Sequence, residues 1–459
     1  MAEVKNPAPD QRTSLVKKDL VMVSTFLMFM MVIFGPFVAL GLSGSTEANT
    51  GDGSSIRQIG YFIITGVVFI ALKPWENYRR LLAIPLPLLI GLGYCWLSIL
   101  WAIEPGIAFR RLVLATMVMW TLFAAMRQLK FEEILTLLRW ALVILLVVNF
   151  LVVYLAPAYG IHDGNALDEY SLAGDWRGVM QHKNFAGATC AITLIAFAFD
   201  RGRMPRFIQW TVMAGALYFL YRSNSKTSFG LGLASLAAGW MFVRYNRRYR
   251  LAVIICIAVL AIAATVLEGL YQNPLLGKFS DPKAFTGRMS IWIAMYQYVV
   301  DHPWFGSGYG SFWNIGPRSP IFQYATGEVA RMPNGHNGFL DLAAQLGIPG
   351  MILIVGVAVI WPLKTLLDSP IVSGTRGALI AAIFIFCIGH NATESSLFDR
   401  DMTIWVLFMV AIAMSQPNLI NYKRAKFDVH DLFRFTKSSL PQVESSGSGE
   451  RRRRRTSGV

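Results

Sequence analysis

Charge is the first scarcity in this sequence. Only 15% of its 459 residues are Asp, Glu, Lys or Arg, against 54% hydrophobic, and the mean hydropathy is +0.47. A soluble protein of this length carries about a quarter of its residues charged and divides into two or three domains, so that class is excluded. Cysteine is scarce too. Cys95, Cys190, Cys256 and Cys387 all fall in apolar runs without metal-ligand spacing, which leaves no disulfide framework and no CxxC site. The chain has no Walker A sequence, no HExxH and no DxD-like pair beside a nucleotide pocket. Neither ATP hydrolysis nor metal-dependent transfer from a nucleotide sugar is indicated. GSGYGS at Gly306–Ser311 alternates glycines, but no βαβ unit surrounds it and a dinucleotide fold is excluded.

Apolar sequence is what the chain has in plenty. Runs of roughly 15 to 23 residues recur between clusters of Lys/Arg, Gly or Pro, and about 20 residues of helix match the hydrocarbon thickness of a bilayer. The fold class expected is an all-α polytopic membrane protein with about twelve transmembrane helices. The spans fall near 20–42, 58–72, 81–101, 110–126, 134–156, 184–199, 207–221, 229–243, 251–267, 338–360, 377–389 and 402–416. The first run is too long for a signal-peptide core and follows a polar leader, so it is expected to stay as an anchor.

The formal net charge of +15 comes from 42 Lys and Arg against 27 Asp and Glu. With a cytoplasmic N-terminus, most of the basic residues fall in inner segments, among them Lys17, Lys18, Arg79, Arg80, Arg201, Arg206, Lys364 and Arg376. That excess puts both termini in the cytoplasm. The leader 1–19 is polar. The tail 417–459 ends in SSGSGERRRRRTSGV, which reads as a disordered segment resting on anionic lipid. No aromatic interleaves those arginines, and nucleic acid is not an expected partner.

Between residues 268 and 337 the chain leaves the bundle 20–416 on the outer face. Loops of this length are uncommon and usually functional, and this one is too aromatic for disorder. It leads into NGHNGFLDLAAQLGIPG, Asn334 to Gly350. Read as a helix, Asn337, Asp341 and Gln345 form one polar stripe at i, i+4, i+8. Such a stripe must face other helices or a water-filled cavity, either as interhelical packing or as part of a site. His336 sits at the outer mouth beside a Gly-containing lead-in, where an imidazole is reachable as a general base.

Basic residues on the outer side run against the topology preference and are grouped. Arg222 and Lys226 share the turn YRSNSKTS, Arg110 and Arg111 open another span, and Arg177 and Lys183 flank His182 in GDWRGVMQHKN. Arg288 and Arg331 lie in the long loop. Either they pair with Asp281, Glu328, Glu394, Asp399 or lipid headgroups, or they serve an anionic ligand such as a diphosphate.

HNGFLDLAAQLGIPG reads His-Asn, nine residues, Gly347, two residues, Gly350, and resembles the signature of the O-antigen ligase and Wzy-type polysaccharide polymerase superfamily. TGRMSIW at Thr286–Trp292 resembles that family's arginine motif, and DHPWFGSGYGSF its His-Pro-x-x-Gly-x-Gly segment. RSNSKTSFGLGLAS is similar to a segment in which Lys226 stands at an Arg position, and HNATES at His390–Ser395 to one near the last span. The similarity runs from about Asn184 to Met414 and looks closest to the exopolysaccharide polymerase branch, although Trp292 follows Arg288 where ligases often place Leu.

The resemblance implies a C-type glycosyltransferase that needs no metal or other cofactor. It would polymerise polyprenyl-diphosphate-linked oligosaccharides into exopolysaccharide on the periplasmic face, by single displacement with inversion. Its partners would be the lipid-linked donor, the growing polysaccharide acceptor and membrane lipid, with a flippase and a chain-length regulator as further candidates. His336 and Arg288 are the expected catalytic residues. Lys226, Arg222, Arg177, His182, Asn337, Asp341 and Glu394 are the expected binding residues, with Asn337 and Asp341 orienting the imidazole. Trp304, Tyr309, Trp313 and Tyr324 either stack on sugars or pack the loop. A ligase acting on lipid A core shares this chemistry. A transporter or flippase is the other alternative, but no internal repeat is visible.

Overall fold

A computed structural model describes residues 9–34, 55–163, 172–200, 204–250, 288–369 and 374–416. The expected span 251–267, the loop as far as Gly287, the first eight residues of the leader and the tail beyond Gln416 lie outside the described residues.

Among the described residues the chain is helical, with no strand beyond a single antiparallel bridge between Ile161 and Trp176. The first helices are α1 (Pro9–Phe34), α2 (Ser55–Leu72), α3 (Leu86–Leu97), α4 (Pro105–Met126) and α5 (Phe131–Leu155). They are followed by α6 (Lys183–Ala198), α7 (Arg206–Arg222), α8 (Lys226–Val243) and α9 (Arg288–Asp301). Last come α10 (Gly338–Val355, continuing to Asp368), α11 (Gly374–Asn391) and α12 (Thr403–Met414). Each expected span within the described residues coincides with a helix, and α1 begins at Pro9, inside the polar leader. Among the described residues, four helices are long and apolar enough to cross a bilayer: Pro105–Met126, Phe131–Leu155, Gly338–Asp368 and Gly374–Asn391. The chain is a multi-pass helical membrane protein.

Local chemistry sets the helix starts. Proline at the first turn opens α3 and α4, where its missing N–H breaks no bond. Glu133 accepts the Lys130 N–H at 2.9 Å and closes the start of α5. Helices α6, α8 and α11 pack on one another through small residues. A Cβ on Gly187 would fall 2.5 Å from that of Ser225, and one on Gly239 would fall 2.9 Å from the Ala378 carbonyl. Close approach of this kind suits helices that lack a hydrophobic driving force between them.

Helix α10 is broken where the site needs it. Gly347 has φ +71°, a conformation open to glycine at no steric cost, and a Cβ there would lie 2.2 Å from the Trp304 carbonyl. The break releases the carbonyls of Ala344 and Gln345 from the helical ladder. Ser307 N–H and Gly308 N–H donate to them at 3.0 and 2.8 Å, and Ile348 N–H donates to the Pro303 carbonyl at 2.8 Å. GSGYGS is thus a docking segment, whose Gly306, Gly308 and Gly310 all take positive φ and press on neighbouring backbone or side chain.

Candidate active site

The start of α10, the end of α11, the starts of α6 and α8 and the start of α9 converge at one end of the bundle. Asn337 caps α10, its Oδ1 accepting from Phe339 N–H and Leu340 N–H at 3.1 Å each. Just before it, His336 is held at φ +48°, a left-handed conformation that costs about 1 kcal/mol and persists only where its surroundings enforce it. Four bonds do so. Asn334 Oδ1 accepts from His336 N–H at 3.0 Å, and Trp292 Nε1 donates to the Gly335 carbonyl at 2.9 Å. Gly335 N–H donates to Asp341 Oδ2 at 3.1 Å, and Asn337 N–H to Ser395 Oγ at 3.2 Å.

The imidazole so presented meets Glu394 Oε2 through Nδ1 at 2.8 Å. The other carboxylate oxygen, Oε1, accepts from Arg288 Nη2 at 2.6 Å and Asn184 Nδ2 at 2.8 Å, while Arg288 Nη1 donates to the Thr393 carbonyl. Burial works against ionisation of Glu394, yet the hydrogen bond from His336 and the charges of His336 and Arg288 outweigh it and hold its carboxyl down at about 2. An ionised carboxylate only accepts, so a neutral His336 carries its proton on Nδ1 and leaves the Nε2 lone pair free. Nε2 has no partner among the described residues, and the side chain is 23% exposed, so it is reachable.

Glu394, not Asn337 or Asp341, holds the ring. Asp341 instead accepts from Trp313 Nε1 at 2.6 Å, and Gln345 Oε1 from Gly310 N–H at 2.6 Å. The stripe ties the aromatic loop to α10. Tyr309 and Trp313 are buried packing residues, and the Tyr309 hydroxyl donates to the Phe398 carbonyl at 2.9 Å. Tyr324 donates to Asp301 at 2.8 Å, and Trp304 alone of the four aromatics is largely exposed.

His182 caps α6, its Nδ1 accepting from Asn184 N–H at 3.2 Å. Burial, reinforced by His162, His336 and Lys183, outweighs the pull of Glu394 and lowers its pKa to about 4. The other expected cations are not bonded to the cluster. Arg222 lies over the Trp176 ring at 4.7 Å, and Arg177 Nε donates to the Tyr159 carbonyl at 3.0 Å. Arg111 clamps the loop through the carbonyls of Gly310, Trp313 and Asn314. Lys226 is exposed and its side chain takes no partner among the described residues, but its neighbour Ser225 donates to Asn184 Oδ1 at 3.3 Å, one step from Glu394. Asn184 itself was no candidate from sequence. Its signal was a polar residue at the head of an apolar helix, directly after His182 and Lys183.

Residues 211–355 match the family model described as O-antigen ligase, Wzy_C. This segment belongs to the O-antigen ligase family. The match spans α7 to α10 and includes Lys226, Arg288, His336 and Asp341, whereas His182, Asn184 and Glu394 fall outside it. No curated protein matches the chain. The O-antigen ligase domain supports a polysaccharide-related membrane enzyme of the ligase or polymerase type. Among the described residues no group of His, Cys, Asp and Glu has the arrangement of a metal site.

Proposed function

We propose that this protein polymerises polyprenyl-diphosphate-linked oligosaccharides into exopolysaccharide on the outer face of the inner membrane. The observation that carries the proposal is the Glu394 carboxylate shared between His336 and Arg288. His336 Nε2 takes the proton of an acceptor hydroxyl as that oxygen attacks the anomeric carbon of the donor. The bond from the anomeric carbon to the phosphate oxygen breaks, and the polyprenyl diphosphate leaves with the electron pair. Glu394 stabilises the imidazolium that forms, as a carboxylate behind a catalytic histidine does in other systems. Attack opposite the leaving group inverts the anomeric centre.

The leaving diphosphate needs positive charge. Arg288 donates two of its five N–H groups to Thr393 and Glu394, and the remainder, which have no partner among the described residues, serve phosphate oxygens. Because Glu394 offsets that charge, the exposed Lys226 and the neighbouring Arg222 supply the rest. Arg177 and His182 line the approach, while Asn337 and Asp341 hold the turn that presents His336.

The family description favours a second reading, transfer of the finished glycan to lipid A core. Glycan analysis of cells lacking the protein separates the two. Under the first reading single lipid-linked repeats accumulate and long polymer is missing. Under the second, long polymer persists on its lipid carrier and is missing only from lipid A.

A further inference from the structure

A second concavity lies behind the wall that carries His336 and Glu394. It is a cleft of about 650 Å³ counted to its open mouth, between the start of α10, the loop 309–314 and the segment 395–400. Asn334 and Ser395 line it, and both also belong to the active-site wall: Asn334 accepts from His336 N–H, and Ser395 directly follows Glu394. The cleft and the cluster are the two faces of one pair of chain segments.

The far side of the cleft carries Asp399 and Arg400, each with about a third of its side chain exposed. Their mutual contact is poor, Arg400 Nε to Asp399 Oδ1 at 3.4 Å, and Asp399 Oδ1 is also where Arg400 N–H donates. Asp399 Oδ2 and both terminal nitrogens of Arg400 take no hydrogen bond among the described residues. A planar pair of donors beside a free carboxylate oxygen matches vicinal hydroxyls, which accept from one and donate to the other. Trp313 and Tyr309 give the cleft an aromatic floor.

Charge decides the class of ligand. Arg111, also in the lining, is held by three backbone carbonyls, so Arg400 is the cation left to meet a ligand, and Asp399 balances it. A charge-balanced set of donors and acceptors gives a diphosphate no net attraction but suits a neutral sugar, and Arg288, the cation bonded to Glu394, lies on the other face.

We infer that this cleft binds the terminal sugars of the acceptor chain, with Asp399 and Arg400 gripping its hydroxyls and setting which acceptor is extended. The inference rests on the glycan-transfer reading above. Its test uses the full-length protein in liposomes with lipid-linked donor, and as acceptor the single-repeat oligosaccharide released from the host's own polymer. Arg400→Gln and Asp399→Asn should each raise the acceptor KM at least tenfold, leaving donor KM and the rate at saturating acceptor within about twofold of wild type. Binding of the same oligosaccharide to the His336→Ala protein, read by intrinsic tryptophan fluorescence, should be lost when Arg400→Gln is added. Transfer by wild type with an unchanged acceptor KM in both variants overturns the inference and leaves the transfer reading intact. Absence of any transfer by wild type overturns both. Should one variant fail to fold, the other and the binding measurement decide.

Discussion

His336 combines a left-handed backbone, a carboxylate on Nδ1 and an open Nε2, and each of these can be removed separately. Glu394→Gln keeps the shape but loses the charge that fixes the tautomer and stabilises the imidazolium. Transfer should fall by about 10² or more with donor binding retained, as expected when the group behind a catalytic histidine is neutralised. Single-turnover rates at saturating donor check this, and a rate within twofold of wild type contradicts it. His182 gives a pH prediction. Its folded pKa of about 4 lies below the ordinary value of 6.5, so the unfolded chain binds the proton first. The associated stability is intact above pH 6.5 and falls as the pH drops toward 4, by up to about 3 kcal/mol at 1.36 kcal/mol per unit. Protonating Nδ1 also removes the cap on Asn184 N–H. Thermal inactivation in detergent between pH 7 and 4 should show the loss, and His182→Asn, which still caps, should flatten it. At this scale the sequence offered His336, Arg288 and Glu394 as separate candidates but not their meeting at one carboxylate. Glu394 meets them from 58 and 106 residues away, and only the folded chain brings it there.

Helix positions were legible because apolar runs of bilayer length leave little freedom about where helices form. The break in α10 was not, since a Gly-x-Pro-Gly stretch inside an apolar run is compatible with a straight, kinked or interrupted helix. Nor was the purpose of GSGYGS, whose glycines serve contacts with α10 and its neighbours rather than a local turn signature. Two substitutions probe these elements. In Gly338→Ala the new Cβ would fall 1.9 Å from Asn391 Oδ1, which accepts from Ser396 N–H and Leu397 N–H and so holds the segment carrying Glu394. Misplacing that segment by about 1 Å is enough to cost on the order of 10²-fold in rate. Helical circular dichroism should be unchanged while transfer is lost. Gly347→Ala meets the Trp304 carbonyl and a positive φ together, and should lower the melting temperature by several degrees without touching the cluster.

For the molecule as a whole, scarce charge gave the class, since the bilayer is the solvent, and the positive-inside excess makes cytoplasmic termini the expected orientation. Orientation has its own test. The described cysteines Cys95, Cys190 and Cys387 are buried, so with Cys256 replaced by Ala an introduced thiol reports its own side of the membrane. In intact spheroplasts, Arg331→Cys should react with an impermeant maleimide and Lys364→Cys should react only after lysis. The reverse pattern would turn the bundle over. What composition could not give was the meeting of five helix ends at one carboxylate, because that depends on packing between segments far apart in sequence. The most direct measurement of the central proposal is transfer by purified His336→Ala protein in liposomes supplied with lipid-linked repeats. The variant should stay folded and bind donor yet lengthen no chain, with the lipid-linked repeat recovered intact; polymer formed at the wild-type rate would contradict the assignment of His336 as the base.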